Sequence, residues 1–481
     1  MSSAPVPEPV DGRHTENATG PETAPPTVPE PVDGHHGETG HPFDELRDRD
    51  GRRDATARLT AAATRVLGEN WRGTYTVPAG GLYPHQWSWD SAFIAIGLRH
   101  ISPRRAQQEI ESLLGAQWDD GRLPQIVFAP GRDDQYSPGP SFWHSERLSG
   151  SPAVPTAGLV QPPNHAWATL LVHEADPAES RRRLFLERAY PRLVAWHDYL
   201  RTRRAEPSGL IAAVHPWETG MDNSPAWDGP LSRVDGAFEG DIPRPDLEHA
   251  ASSERPSDEE YSTYLYLAAR YRDHDCDDSR ESTPFRVVDP GMNALWVRSE
   301  IALARIAELL DDDAAAERHR SDARRVARAI DGLWDEELAF PVPVDALTAE
   351  ALRFRSVSGL LTLLVPGSPH AEEVIGTLRG PHFGLGETAM VPSSDLTAPE
   401  FDSSQYWRGP SWFNTAWMIA TALAERGRVD EARVLALDLG ALALASDFAE
   451  YVDPYSGDPR GTRRFSWTAA LALDLAVRYD R

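Results

Sequence analysis

From Phe43 onward, apolar residues recur at i, i+3 and i+4 through most of the chain, the spacing of helices that bury one stripe. The pattern predicts helices over residues 46–67, 91–98, 106–117, 166–174, 180–203, 258–273, 293–310, 312–333, 356–363, 411–426, 429–446 and 466–479. Alternating runs that would mark half-buried strands are scarce, and no glycine-rich strand-to-helix turn of dinucleotide or P-loop type occurs. A mainly α fold is expected.

Residues 1–42 break the pattern. They are rich in Pro, Glu, Gly and Thr, repeat PEPVDG at 7–12 and 29–34, and hold too little apolar surface to offset the entropy of ordering. A disordered spacer is expected there, with residues 43–481 forming the catalytic domain.

Long stretches without periodicity separate the helices at 83–90, 118–143, 214–255, 383–410 and 448–464, and such connections are commonly functional. They hold Trp87, Trp89, Trp118, Trp143, Trp217, Trp227 and Trp407 beside Asp, Glu, Gln, Asn and Arg. Aromatic faces with polar edges suit a sugar ring, whose CH groups stack while its hydroxyls take hydrogen bonds. One carbohydrate cleft is the expected result.

Composition narrows the partners. The chain has 48 basic and 74 acidic residues, a net charge of −26, which repels nucleic acid and anionic membranes. Every basic residue is arginine, the bias of a GC-rich genome. Cys276 stands alone, so neither an internal disulfide nor a cysteine metal cluster can form. No signal-peptide pattern and no run of about 18 apolar residues is present. A cytoplasmic protein without a membrane anchor is expected, and homo-oligomerisation is compatible with its surface.

The segment WETGMDNSPAWD, 217–228, packs three carboxylates and two tryptophans into twelve positions. Protonating a glycosidic oxygen requires a carboxylic acid whose pKa is raised by apolar surroundings, and Asp222 fits that need. Asp222 and Asp228 also fit a helix cap or Asx-turn, and Glu218 fits either a rival acid or a support. A second carboxylate on another loop would activate water; Glu450 is the candidate, with Asp453 as a competitor whose Asp-Pro step reads as a turn. Glu450 also reads as a solvated helix-end residue. The histidines stand singly, without metal-ligand spacing, so no metal and no cofactor is expected.

YPHQWSWDSAFIAIGL from Tyr83, GMDNSP from Gly220, QYWRGPSW from Gln405 and the Glu450 segment with FSWTAA occur in one order. Together they resemble glycoside hydrolase family 63, in its small bacterial members that cleave mannosylglycerate and glucosylglycerate; trehalases are more distant. The resemblance runs from about Trp71 to the C-terminus. It implies an (α/α)6 toroid, inversion at the anomeric carbon, Asp222 as general acid and Glu450 as general base. It also implies a sugar subsite lined by Tyr83, Trp87, Trp89, Asp90, Gln161, Tyr406, Trp407 and Trp412. Arg255 and Tyr261 would hold a glycerate carboxylate, and Tyr136 would come from a mobile lid. The family's ESG reads ETG here, which puts the support given to Asp222 by Thr219 in question.

The resulting expectation is an inverting hydrolase of glucosylglycerate, and also of mannosylglycerate, whose partner is a small carbohydrate with a carboxylated aglycone. The alternatives are an α-glucosidase or trehalase using the same residues, a sugar epimerase or isomerase drawing on two of His85, His144, His165 and His215, or a non-enzymatic carbohydrate-binding protein.

Overall fold

Outer and inner helices alternate along the chain in the computed structural model, which describes residues 49–133, 135–248 and 251–479. They are α1 (Arg49–Glu69, outer), α2 (Ser88–Leu98, inner), α3 (Pro103–Leu114, outer), α4 (His165–Ala175, inner), α5 (Phe185–Tyr199, outer) and α6 (Pro290–Leu309, inner). Then follow α7 (Asp313–Ile330, outer), α8 (Val357–Leu360 with the 3₁₀ turn Leu361–Leu364, inner), α9 (Ala371–Arg379, outer), α10 (Phe413–Glu425, inner), α11 (Val429–Ala445, outer) and α12 (Ser466–Tyr479, inner). Each inner helix packs on the next, and α12 returns to α2, so the ring is closed. The tail expected over residues 1–42 lies outside the described residues.

The division between inner and outer follows from side-chain distribution. Every residue of α2 is buried, as is α10 from Phe413 to Leu423, because both are apolar or small all round. Outer α7 buries only Ala315, Ala316, His319, Ala323, Val326 and Ile330, the single stripe of an amphipathic helix. Closure of the ring needs a close approach. A Cβ at Gly97 would lie 2.3 Å from the Cα of Ala470, so α2 and α12 meet backbone against side-chain-free backbone.

Helix starts are set by capping. Ser102 accepts from the Arg105 amide with Pro103 in the first turn, and Asp289 accepts from the Met292 amide with Pro290 beside it. Inner-to-outer connections are short, such as residues 99–102, 310–312 and 426–428. Outer-to-inner connections are long: 70–87, 115–164, 200–289, 331–356, 380–412 and 446–465. All six therefore gather at the N-terminal ends of the inner helices. Two-residue strands stitch them together. Gln86–Trp87 pairs with Ile126–Val127, and Tyr451–Val452 lies between Ser411–Trp412 and Pro459–Arg460.

Most predicted helices are present with ends moved by a few residues. The run expected over 180–203 is divided instead. A short helix, Pro177–Arg182, stops before Leu184 in the left-handed region (φ 52°), α5 follows, and a π-turn, Leu200–Arg204, ends it. That last turn buries Arg204 completely. Helix α9, not among the predicted elements, still carries Ala371, Val374, Ile375 and Leu378 at helical spacing between Pro369 and Gly380. Its brevity hid it. No described helix is long and apolar enough to cross a membrane.

Candidate active site

A cavity opens at the face where the long connections meet. It is lined by all thirteen residues singled out above, from Tyr83 to Glu450, although they come from five of the six connections and the first turn of α2. Gln125, Trp217, Asp246, Phe465 and Trp467 also line it.

The Asp222 loop is pinned on both sides. His215 Nδ1 accepts from the Trp217 amide at 3.1 Å, and the Trp227 indole donates to the Met221 carbonyl at 2.7 Å. Asn223 Oδ1 accepts from the Trp407 amide at 2.9 Å. Thr219 donates to the Pro216 carbonyl at 2.8 Å and accepts from the Met221 amide at 3.1 Å, so the hydroxyl needed in this turn is present. Gly220 adopts φ 74°, and a Cβ there would come within 2.3 Å of the Trp89 ring. The surrounding walls strip water from the Asp222 carboxyl, and burial pushes it up to about 7; Arg255 pulls it down and Glu450 pushes it further up. Such a group holds a proton near neutrality.

Glu450 approaches from the connection between α11 and α12. Pairing of Trp412 with Tyr451 sets its position, and its own amide donates to the Thr462 carbonyl at 2.8 Å. Glu450 Oε1 accepts from the Tyr83 hydroxyl at 2.7 Å, and Oε2 accepts from the Thr462 amide at 3.2 Å. Burial raises its pKa, against the charge of Arg255 and the hydrogen bonds of Tyr83, Thr462 and Tyr406. Asp90, in the first turn of α2, is a further carboxyl of the cavity, raised well above the ordinary range by burial and then by the charge of Glu450.

The aromatic wall is built of stacked and edge-on rings. Trp407 and Trp412 lie parallel with centroids 4.0 Å apart, and Tyr136 meets Trp87 edge-on at 4.9 Å. Gln161 Oε1 accepts from the Trp89 amide at 3.1 Å. Tyr406 sits at φ 36°, a left-handed conformation costly for an aromatic residue, which lets its ring lie under the Arg255 guanidinium, 4.4 Å from the ring centre.

Arg255 is the cation of the cavity. It donates to the Tyr83 hydroxyl at 3.0 Å and approaches Asp246 at 3.4 Å and Glu450 at 3.8 Å. Its Nη1 is buried and has no hydrogen-bond partner among the described residues. Tyr261 differs: its hydroxyl donates to the Ser137 carbonyl at 2.7 Å, so in this arrangement it offers a bound anion only lone pairs.

The rival carboxylates have other work. Glu218 is gripped by Arg204 at 2.6 and 2.7 Å and accepts from the Val160 and Val214 amides, tying the Gln161 and Asp222 loops together. Asp453 accepts from the Tyr455 and Ser456 amides as a turn former, and Asp228 pairs with Arg408 at 2.9 and 2.8 Å. Among the described residues, no histidine lines the cavity. His165 and His215 are each pushed down to about 3 by burial, and His85, lowered to about 4 by burial and Arg132, accepts from the Ala129 amide. Asp246 had no sequence signal beyond a polar loop; its place is known only from its contact with Arg255.

Residues 83–468 match the family described as the mannosylglycerate hydrolase MGH1-like glycoside hydrolase domain. The chain belongs to this glycoside hydrolase family. It is 40% identical over 432 residues to a mannosylglycerate hydrolase of Rubrobacter radiotolerans, covering 87% of this chain and 97% of that one. A glucosylglycerate hydrolase of Mycolicibacterium hassiacum is 36% identical over 438 residues, covering 86% and 97%. Among solved structures, the GH63 mannosylglycerate hydrolase from Thermus thermophilus in complex with Tris and D-glycerate superposes with a TM-score of 0.80. Its identity is 38%, over 86% of this chain and 99% of that one. The MGH1-like domain thus reaches from Tyr83, at the cavity wall, to the first turn of α12.

Proposed function

We propose that this glycoside hydrolase cleaves 2-O-α-glycosyl-D-glycerate, in its glucosyl and mannosyl forms, to hexose and D-glycerate with inversion. The observation that carries the reading is the pairing, in one aromatic cavity, of a carboxyl protonated near neutrality with a second carboxyl bound by donors, beside a buried arginine nitrogen without a hydrogen-bond partner. Asp222 protonates the oxygen that leaves with glycerate. Glu450 takes a proton from a water that attacks the opposite face of the anomeric carbon, so an α-glycoside gives β-hexose. Arg255 Nη1 receives the glycerate carboxylate, a charge-assisted bond that the neutral aglycone of trehalose cannot make. The two kinds of relative, one acting on mannosylglycerate and one on glucosylglycerate, support the glycerate aglycone and both hexoses.

A proton NMR time course with glucosylglycerate, mannosylglycerate and trehalose tests this. β-Hexose appearing first from the glycerate glycosides, with trehalose untouched and Asp222→Ala and Glu450→Ala inactive, is the expected outcome. α-Hexose appearing first would overturn inversion, and cleavage of trehalose alone would overturn the aglycone.

A further inference from the structure

Asp246 lines the same cavity as Arg255, and the sequence motifs of the site do not include it. Arg244 grips its carboxylate from behind at 2.9 Å to each oxygen, and Arg255 Nε lies 3.4 Å from Oδ2. Burial works to raise Asp246, but the hydrogen bonds of Arg244 and the charges of Arg255 and Arg244 outweigh it and hold the carboxyl below its ordinary value. It is therefore a fixed negative charge. Arg244 is not among the residues lining the cavity, and four of its five N–H donors are used within the protein, since Nη1 binds Asp258 at 2.7 Å and Nη2 also binds the Pro256 carbonyl at 2.9 Å.

Among the described residues, Arg255 is the one cation lining the cavity, and its Nη1, 3.8 Å from Glu450, has no hydrogen-bond partner. A carboxylate on the aglycone can use it. A second anionic group on the same aglycone would meet the acceptor oxygens of Asp246, already held by Arg244 and Arg255, with no further cation lining the cavity to receive it. Hydroxyl groups carry no such cost and can donate to Asp246.

We infer that Asp246 is a charge-selecting residue that restricts the aglycone to a single negative charge and excludes aglycones bearing a further phosphate or carboxylate. The inference rests on the glycosylglycerate reading of the site. Asp246 acts by its charge beside the aglycone and takes no part in bond cleavage.

The test compares two substrates, glucosylglycerate and the same glycoside carrying a phosphate ester on the glycerate primary hydroxyl, with wild-type, Asp246→Asn, Asp246→Glu and Asp258→Asn proteins. The wild type is expected to favour the unphosphorylated glycoside by at least about a hundredfold in kcat/KM. Asp246→Asn should narrow that ratio by about tenfold or more, chiefly through a lower KM for the phosphorylated substrate. Asp246→Glu, which keeps the charge, and Asp258→Asn, which alters the exposed partner of Arg244, should leave the ratio close to that of the wild type. An unchanged ratio in folded Asp246→Asn, or a wild type indifferent to the phosphate, would overturn charge selection by Asp246. Failure of the wild type to cleave either glycoside would instead overturn the substrate reading.

Discussion

The Tyr83 hydroxyl donates to Glu450 Oε1 at 2.7 Å. Its oxygen accepts from Arg255 at 3.0 Å, so the guanidinium that is free to hold an anion also polarises the donor on the proposed base. This bond lowers the pKa of a carboxyl that burial raises, and losing it lifts that pKa further. In Tyr83→Phe the ring contacts with Trp87 and Phe465 remain. The expected result is a ten- to hundredfold loss of kcat at neutral pH, in the range of a missing general-base contribution, with the acid limb of the kcat profile moved to higher pH. A pH–rate profile on the folded variant checks it; an unmoved limb would mean that Tyr83 does not control the charge of Glu450.

Asp222, as the proposed acid, is expected to give the alkaline limb. With its pKa raised from 3.8 to about 7, the proposed acid is protonated at pH 6 and ionised at pH 8, so kcat/KM should fall above about pH 7. The same shift has a stability sign. The folded state holds this proton more tightly than the unfolded chain, so the contribution is fully present below about pH 4 and is lost as pH rises through 7. Asp222→Asn should therefore be inactive yet more stable than wild type at pH 8, by up to a few kcal/mol, and by less at pH 5. Urea unfolding at the two pH values measures the difference.

How far the sequence reveals this site depends on which contacts are local. That the tryptophans, Asp222 and Glu450 line one cavity is legible because they stand on aperiodic loops rich in aromatic and acidic residues, the types a glycosidic site would need. What separates Asp222 from Glu218 is not local. It is Arg204, turned inward by a π-turn at the end of α5, that neutralises Glu218 and leaves Asp222 without a partner cation of its own. The donor role of Tyr261 is likewise decided by the Ser137 carbonyl, 124 positions away. The ring itself is legible as helical periodicity, but the break at Leu184 is not, since residues 180–203 keep apolar spacing across it.

The Arg204–Glu218 pair predicts a structural loss distinguishable from a catalytic one. Glu218→Ala leaves a buried guanidinium without this partner, while Asp278 at 2.8 Å keeps it charged. Destabilisation on the order of 3–5 kcal/mol is expected. Arg204→Lys should not rescue the site, because one ammonium cannot span both carboxylate oxygens as the guanidinium fork does. Denaturant midpoints for both variants check this.

At Gly97 the expected effect is on the ring. Gly97→Ala forces a methyl into the Cα and carbonyl of Ala470, where no side-chain rotation relieves the overlap. A loss of about 1–3 kcal/mol is expected from overpacking, with the KM of any remaining folded enzyme little changed. Thermal unfolding alongside steady-state kinetics separates the two.

Because α12 packs on both α1 and α2, the circle is completed by elements from opposite ends of the chain. A ribosome releases α2 long before its neighbour exists, leaving a helix that is apolar from Ala92 to Leu98 with one flank bare for most of synthesis. The contacts that close the ring are also among the longest in sequence, and such contacts delay the final step of folding. A nascent chain stalled before Ser466 would thus lack the ring's closing helix even though Asp222, Arg255 and Glu450 had all been made.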